Sequence, residues 1–388
     1  MKKNDNKGFT LIELMAVIII ISLVSLLTFP NIINQIKKTK NSNNKIIEDV
    51  VIEQVKKYVS DNKEELTDDE YCMLISTLID NGYVKEDLVK VNNIKDNKVI
   101  HITFDDNNFY EVVDKNKCFL SAVKYLLNKT NPINVSNYID GDVHEMYTFD
   151  HDATEQTPAL TDYRYIGSDP YNYVTFNGNE TWRIIGIFNT EDANGKWDNK
   201  IKIVRNEVIG SMPWDNDNIN EWITASLSIY LNNVYYNQIQ NNYKNMISSV
   251  KYYVGGGKNK LSGNDFYNSE RGNNVYSERN INWIGKIGLI YPSDYIFPYA
   301  LGVNVTCFDN SSNCEDYNLG WFYNEENIWT IFPESRRSTH SLRVYGNNIF
   351  SYNSSKNSYQ VKPSLYLSSK VKIISGDGTE SNPYKLSL

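Results

Sequence analysis

The sequence predicts an α+β protein of three parts: a long N-terminal helix, a small α/β head and a large β-rich C-terminal domain. The first observation is an uninterrupted apolar run from Phe9 to Phe29. The second is a stripe of apolar residues at helical spacing after Pro30. The third is a series of short strand-like segments, separated by Gly, Asn and Pro, that fills the chain after about Tyr163. A length of 388 residues exceeds one ordinary domain and fits this division.

The apolar run over residues 9–29 predicts a transmembrane helix. At about 1.5 Å per residue, it is long enough to cross a hydrocarbon core of roughly 30 Å. Glu13 lies inside it, where a carboxylate is unfavourable unless a partner neutralises it. A cleaved signal peptide is the alternative, but the run is too long and ends in Phe29-Pro30-Asn31 without an Ala-x-Ala-like site. The run therefore indicates a membrane anchor that carries a functional carboxylate.

The segment Lys7-Gly8-Phe9-Thr10-Leu11-Ile12-Glu13-Leu14 resembles the N-terminus of type IV pilins, pseudopilins and competence pilins. The resemblance implies a leader, residues 1–8, that prepilin peptidase removes after Gly8, and methylation of the new N-terminal residue, Phe9. It also implies that Glu13 neutralises the amino group of Phe9 in a neighbouring subunit, so that two unfavourable buried charges become one pair. The helix-kinking proline of the family falls on Pro30.

The same resemblance implies the partners and the location of the chain. Prepilin peptidase, other pilin subunits, the pilus or pseudopilus assembly machinery and membrane lipids are the expected partners. The chain is expected in the cell membrane as a single-pass protein with its bulk outside the cell. After processing it is expected in a surface pilus or pseudopilus.

Beyond Pro30, apolar residues continue to share one face of a helix. We expect the N-terminal helix to span residues 9–60 and to be roughly 75 Å long, with an apolar half in the membrane and an amphipathic half outside it. A break in the Asn-rich stretch 41–44 is the alternative. The residues of the stripe are Ile32, Ile33, Ile36, Ile46, Ile47, Val50, Val51, Val55, Tyr58 and Val59.

Residues 61–129 predict a small α/β head. A helix near Thr67–Asp80, capped by its first residue, is expected to end at Asn81-Gly82. Val99–Phe104 and Phe109–Val113 flank four turn-forming residues and predict a β-hairpin. The pattern resembles the compact heads of pilin-like proteins, in which a few strands pack on the C-terminal half of the long helix.

Residues 130–162 lose apolar periodicity and contain several turn formers, which predicts a linker. Five groups in it could in principle bind a metal ion. No helical or hairpin spacing brings them together, so the sequence predicts no metal site here. The five residues are His144, Glu145, Asp150, His151 and Asp152.

Residues 163–388 predict one β-rich surface domain. Thr181–Phe188 and Lys200–Arg205 are expected to pair around a turn at Asn194-Gly195, and Asn220–Asn233 is expected to be helical. Tyrosine supplies 29 of the 50 aromatic residues of the chain; these rings either fill strands or stack on sugars. Later predicted strands are Lys286–Tyr291, Ser341–Tyr345 and Ser364–Leu367.

Four segments of this domain resemble an uncharacterised surface domain of Gram-positive-type bacteria that occurs attached to pilin-like N-termini. The resemblance implies the C-type-lectin-like and sulfatase-modifying-factor-like superfold. A late Arg-Pro of that superfold is Lys362-Pro363 here, which departs from the pattern. The four segments are Tyr165–Gly178, Thr181–Gly186, Ile287–Tyr295 and Gly376–Thr379.

The four cysteines indicate disulfides, because the bulk of the chain is expected outside the cell. Local pairing would join Cys72 with Cys118 and Cys307 with Cys314. Four cysteines allow three connectivities, and free thiols are the alternative.

Charge and motif content restrict the function. The formal net charge of −8 becomes −10 without the leader, since its three lysines and one aspartate contribute +2. An acidic chain argues against binding nucleic acid through phosphates.

Two motifs resemble known binding loops only in part. The first is Gly255-Gly256-Gly257-Lys258, which lacks the rest of a phosphate loop and is interpreted as a flexible turn. Asp215, Asp217 and Glu221 match EF-hand spacing only in part, which leaves a lectin-like calcium site open.

We therefore expect a non-enzymatic type IV pilin-like subunit without a cofactor. A domain this large would crowd a filament in which every subunit carried it, so a minor or tip pilin is predicted, with the domain displayed for adhesion to a surface glycan or protein. A pseudopilin of a type II secretion or competence system is the alternative, and a membrane-delivered surface enzyme is a third hypothesis.

Overall fold

The computed structural model describes residues 43–64, 66, 70–90, 94–104, 108–115, 118–138, 145–259, 261–299, 320–322, 326–346, 348–353 and 357–388. Over these residues the fold is mixed α+β with mostly β-sheet, as predicted. The chain divides into two compact units, and the boundary lies between Cys118 and Phe119.

The first unit contains a helix, α1, over residues 43–61. Ile47, Val51, Val55 and Val59 recur every four positions and therefore share one face of α1, which is buried. They pack in one core with residues of a three-stranded antiparallel sheet, in the order β1-β2-β3. The strands are β1 (Glu70–Leu74), β2 (Lys98–Thr103) and β3 (Phe109–Asp114), and the short helices are α2 (Ile75–Asp80), α3 (Glu86–Lys90) and α4 (Ile94–Asn97).

The described strands of the second unit form three sheets. They are β4 (Ile133–Asn134), β5 (Met146–His151), β6 (Leu160–Tyr165), β7 (Tyr173–Phe176), β8 (Glu180–Glu191), β9 (Trp197–Arg205), β10 (Ser211–Pro213), β11 (Val250–Tyr253), β12 (Asn282–Gly285), β13 (Ile287–Gly288), β14 (Ile328–Pro333), β15 (His340–Tyr345), β16 (Asn348–Asn353), β17 (Ser358–Gln360), β18 (Ser364–Tyr366), β19 (Lys372–Ser375) and β20 (Tyr384–Ser387).

The largest of these sheets is ten-stranded. Its main path runs β13-β18-β9-β8-β6-β5-β4, and β7, β20 and β19 branch from β8. A second sheet has the order β10-β17-β14-β15-β16, and β11 pairs with β12 alone. The long hairpin β8–β9 lies inside the large sheet, so the elements packed on it can bury both of its faces.

Short helices and turns cover these sheets. Four tryptophans and seven tyrosines are among the largest fully buried side chains. This favours the interpretation that many of the tyrosines pack in the protein interior. The helices are α5 (Ala122–Thr130), α6 (Ser226–Ile229), α7 (Tyr236–Gln238), α8 (Asn241–Lys244), α9 (Gly263–Glu270) and α10 (Pro292–Ile296), with a 3₁₀ turn at Val135–Asn137 and a π-helical turn at Tyr230–Tyr235.

Two short-range predictions are confirmed. The hairpin β2–β3 forms where the sequence predicted it. β8 pairs with β9 around Asn194-Gly195, and Gly195 has the positive φ of 82° that a glycine in such a turn accommodates.

The predicted linker over residues 130–162 is wrong in its described part. β5 and the start of β6 lie inside it, pair antiparallel and belong to the large sheet. Tyr147, Phe149 and His151 share one buried face of β5, whereas Thr148 and Asp150 on the other face are half-buried and exposed, so the strand alternates over only five residues. The head also ends earlier than residue 129, because α5 belongs to the second unit, where Ala122 and Leu126 join its core.

Two predicted helices are wrong in their bounds. Glu70–Leu74 is strand β1, because its pairing with β2 overrides the local helical pattern, and the helix begins only at Ile75. Its end at Asn81-Gly82 is confirmed. The helix predicted from Asn220 starts at Ser226 and continues through the π-helical turn to Gln238. The C-type-lectin-like superfold and the pilin-like head stay predictions.

Candidate functional site

Four residues predicted to act in processing and assembly lie outside the described residues: Gly8, Phe9, Glu13 and Pro30. The predicted membrane span 9–29 lies there too. Among the helices that the structure describes, none combines the length and apolar composition needed to cross a membrane.

The described part of the N-terminal helix leaves apolar side chains uncovered. Ile46 and Val50 flank the buried stripe of α1 but are 61% and 38% exposed. They stand four residues apart and therefore share one side of the helix. This side can pack against a second helix, whereas the stripe through Val51 and Val55 is already covered by the head.

The head contains the disulfide that the sequence predicted between Cys72 and Cys118. Cys72 lies on β1 opposite His101 of β2, and Cys118 follows β3. The bond therefore ties the two outer strands of the sheet together. Cys307 and Cys314 lie outside the described residues.

The second unit encloses a group of charged side chains that we call the buried charge cluster. All of its members are at most 5% exposed, so their charges are removed from water and depend on one another. The members are Asp162, Arg164, Lys202, Glu270, Arg271 and Asp294.

Arg164 links the two aspartates of the cluster. It donates hydrogen bonds to Oδ2 of Asp162 at 2.8 Å and to Oδ1 of Asp294 at 3.1 Å, and its guanidinium lies 4.6 Å from the ring centre of Phe188. Burial raises the pKa of the Asp162 carboxyl, but the Arg164 guanidinium outweighs it and holds that pKa below its usual range. Burial also raises the pKa of Asp294, but Lys202 and Arg164 outweigh it and hold that pKa below its usual range, so both aspartates are charged at neutral pH.

Lys202 makes the closest contact in the cluster. It projects from β9, an interior strand of the large sheet, and its Nζ lies 2.5 Å from Oδ2 of Asp294 on α10. The same Oδ2 accepts the backbone N–H of Tyr291 at 2.9 Å. Burial lowers the pKa of Lys202, although the Asp294 carboxylate opposes that shift. The two residues are 92 positions apart in the chain.

Glu270 forms the other end of the cluster. Its carboxylate accepts the backbone N–H of Ser293 at 2.9 Å and the hydroxyl of Ser293 at 2.7 Å, and it lies 3.1 Å from a guanidinium nitrogen of Arg271. Burial raises the pKa of Glu270 to about 7, against the opposing charge of Arg271. Glu270 is therefore a buried acid that titrates near neutral pH.

His151 borders the cluster at a surface groove of about 300 Å³ that Asp150 and Asp152 also line. Its ring stacks on Tyr267, with ring centres 3.5 Å apart. Nε2 lies 3.2 Å from Oδ2 of Asp162 but is not aligned for a hydrogen bond. Burial lowers the pKa of His151, so the ring is neutral at pH 7.

Those of the acidic and histidine side chains named above that the structure describes do not form a group that could hold a metal ion. Within the described ranges, no three His, Cys, Asp or Glu side chains come close enough to hold a metal ion, and His144 lies outside those ranges. Asp215 instead accepts the backbone N–H groups of Ile219 and Ser226 at 2.9 and 3.0 Å. Its role is to hold this loop.

The glycines at 255–257 are not the flexible turn that the sequence predicted. A Cβ on Gly255 would lie 2.4–2.8 Å from the backbone oxygens of Gly272, Ser269 and Glu270. The run packs directly against the end of α9, and Gly255 donates a backbone hydrogen bond to the oxygen of Glu270 at 2.9 Å. Only glycine lets the backbone at position 255 come this close to the end of α9. The contact holds in place the backbone that carries Glu270.

Sequence reasoning missed the buried charge cluster. The alternation of Lys200, Ile201, Lys202 and Ile203 suggests a solvated lysine face, yet Lys200 and Lys202 are 4% and 0% exposed. The sequence signal for the cluster lies in the paired strand β8, where consecutive apolar residues occupy both faces of the strand. That pattern indicates a sheet covered on both sides, in which charged residues need buried partners.

Comparison with known proteins identifies a motif at the N-terminus. Residues 3–29 match the family model of the prokaryotic N-terminal methylation motif. No curated protein and no solved structure matches the chain. The matched segment contains Gly8, Phe9 and Glu13, and it supports a type IV pilin-like or pseudopilin-like protein. The motif implies processing by prepilin peptidase and assembly with pilin subunits in a pilus machinery.

Proposed function

We propose that the protein is a non-enzymatic, minor or tip subunit of a type IV pilus, which displays its second unit at the cell surface for adhesion to a glycan or a protein. The methylation motif over residues 3–29 carries this proposal, because it combines the cleavage site with the apolar run that anchors and assembles pilin subunits. The exposed Ile46 and Val50 support it, since they offer an apolar helix side to a neighbouring subunit.

The size of the second unit supports a minor or tip position. It extends from Phe119 to Leu388, more than twice the length of the first unit. Subunits in a helical filament pack closely through their N-terminal helices, and a unit of this size on every subunit would collide with its neighbours. A few copies, or one at the tip, avoid that collision.

Cleavage at Gly8 is the first test. The chain is expressed with its prepilin peptidase and assembly system, and Gly8→Ala is expected to leave a full-length precursor in the membrane. Thr10→Ser, two residues beyond, is the matched control and should be processed normally. Mass spectrometry of the N-terminus distinguishes the two forms. Normal maturation of Gly8→Ala would contradict the processing step.

Incorporation through Glu13 is the second test. Glu13→Gln keeps the size of the side chain and removes its charge, so it is expected to insert and mature but to fall at least several-fold in sheared filaments. Glu53→Gln is the matched control, because Glu53 lies on α1, beyond the apolar run, and is solvent-exposed. Equal incorporation of both variants would remove charge pairing from the mechanism.

A further inference from the structure

The contact between Lys202 and Asp294 places an amine beside a carboxyl group in a dry interior. The two side chains are 0% and 1% exposed, and Nζ and Oδ2 are 2.5 Å apart. The Tyr291, Tyr366 and Phe188 ring centres lie 4.1, 5.3 and 6.0 Å from Nζ. Aromatic rings on these sides exclude the water that would hydrate an ordinary ion pair.

The surroundings favour attack of the amine on the carboxyl carbon. A desolvated lysine supplies the neutral amine that acts as a nucleophile more readily than a hydrated one. Burial lowers the pKa of Lys202 in this direction. The pair rests as an ammonium and a carboxylate, and transfer of a proton from Nζ to Oδ2 across the short contact forms the reactive amine and carboxylic acid.

Arg164 is placed to stabilise the charge that such an attack develops. It donates to Oδ1 of Asp294 at 3.1 Å, and Oδ1 is the oxygen that becomes negative when Nζ bonds to Cγ. A fixed cationic donor aimed at a developing oxyanion lowers the barrier most in a water-excluded site. The N–H of Tyr291 holds the other oxygen, Oδ2, in place.

We propose that Lys202 and Asp294 condense spontaneously into an intramolecular amide bond. The Nζ–Cγ bond forms, the Cγ–Oδ2 bond breaks, and Oδ2 leaves as water with two of the three protons of the lysine ammonium. The third proton stays on the amide nitrogen. The step changes no oxidation state and needs no co-reactant.

The amide would join β9 to α10 and close a loop between residues 92 positions apart. It would bind the interior of the large sheet covalently to a helix that carries part of the buried charge cluster. This inference is independent of the proposed function, since it concerns only the interior of the second unit.

Other ion pairs of the chain serve as internal controls. Lys98 and Asp114 lie 3.0 Å apart with side chains 25% and 42% exposed, and Lys251 and Glu191 lie 3.0 Å apart with 24% and 23% exposed. Water reaches both pairs, so we expect them to remain ionic. These pairs therefore show whether a short distance is enough to form the amide bond, or whether exclusion of water is needed as well.

The test is the mass of the full-length chain, purified in detergent and measured after reduction of its disulfides. We expect a mass lower than the sequence mass by one water molecule. Trypsin should release the peptide Ile201–Arg205 linked to the peptide 287–336, because an acylated Lys202 is not cleaved. The peptides that contain Lys98 and Lys251 should be recovered unlinked.

Lys202→Arg is the matched variant, because it keeps the positive charge and lacks the primary amine. It should show the full sequence mass, with no water lost. A folded wild-type chain of full sequence mass, whose Lys202 and Asp294 peptides separate, overturns the proposal. A water loss that persists in Lys202→Arg overturns it as well.

Discussion

Glu270 is a carboxylate that folding removes from water completely, and its surroundings decide its charge. Ser293 donates two hydrogen bonds to it and Arg271 lies beside it, but burial and the nearby Asp294 favour the protonated form. With a folded-state pKa of about 7 and an ordinary value of 4.5, the folded protein binds a proton that the unfolded chain releases. Stability from this group is therefore complete below pH 4.5 and is lost as the pH rises through 7.

Replacement of Glu270 by glutamine should remove this pH dependence. In the wild type, the contribution of Glu270 to the free energy of unfolding falls by up to about 3 kcal/mol between pH 4.5 and 7. The free energy of unfolding in Glu270→Gln should fall less, or rise, across that interval. Denaturant unfolding at pH 5, 6, 7 and 8 measures it. Glu380→Gln, at an exposed position, is the control; equal curves for all three proteins would contradict the burial argument.

His151 gives the opposite pH dependence and should become visible in the Glu270→Gln variant. Burial lowers its pKa below 6.5, so the unfolded chain binds the extra proton on acidification. Its contribution to stability is present above pH 6.5 and is lost as the pH falls. In Glu270→Gln we expect destabilisation below pH 6.5, and His151→Gln in that background should reduce it. If the double variant lost as much stability below pH 6.5 as Glu270→Gln does, a group other than His151 would cause that loss.

At the scale of elements, the glycine segment 255–257 and helix α9 depend on close backbone contact. Gly255→Ala places a methyl group within 2.4–2.8 Å of three backbone oxygens, which cannot move without shifting the end of α9. We expect a loss of about 1–3 kcal/mol in the free energy of unfolding. Gly195→Asn is the control, because its turn is open and asparagine tolerates positive φ. Similar stability of Gly255→Ala and the wild type would show that α9 repacks easily.

The disulfide of the head acts on the first unit alone. Cys72 and Cys118 are 46 positions apart, and closing a loop of that size stabilises a fold by about 4 kcal/mol in the chain-entropy treatment. Cys72→Ser with Cys118→Ser should lower the unfolding midpoint of the first unit and leave that of the second unit unchanged. Hydrogen exchange followed by mass spectrometry reports the two units separately. Loss of protection in both units would contradict this assignment.

Sequence patterns identified elements whose determinants are local. The β2–β3 and β8–β9 hairpins were predictable because their turn residues lie between the paired strands, and the local pairing of Cys72 with Cys118 was predictable for a similar reason. Lys202 and Asp294 were not, since 92 residues separate them and each resembles an ordinary surface charge in its own segment. The strand Glu70–Leu74 was missed because its partner, not its sequence, determines its conformation.

At the scale of the whole molecule, the proposed function assigns assembly to the unit before Phe119 and display to the unit after Cys118. The first unit contains the residues of the predicted processing site, helix α1 and the disulfide-bonded head, whereas the second contains the large sheet and the buried charge cluster. Each unit has its own hydrophobic core within the described residues. The assembly function should therefore survive without the second unit.

A chain that ends after Cys118 tests this separation. It keeps the leader, the helix and both cysteines of the head, so we expect normal processing and incorporation into sheared filaments. Its copy number per filament, measured by quantitative mass spectrometry, should rise at least several-fold over the full chain, because the crowding unit is gone. Gly8→Ala in the same truncated chain is the control and should abolish incorporation. A truncated chain that matures but stays out of filaments would instead assign the second unit to assembly, and an unchanged copy number would show that crowding does not set the minor position.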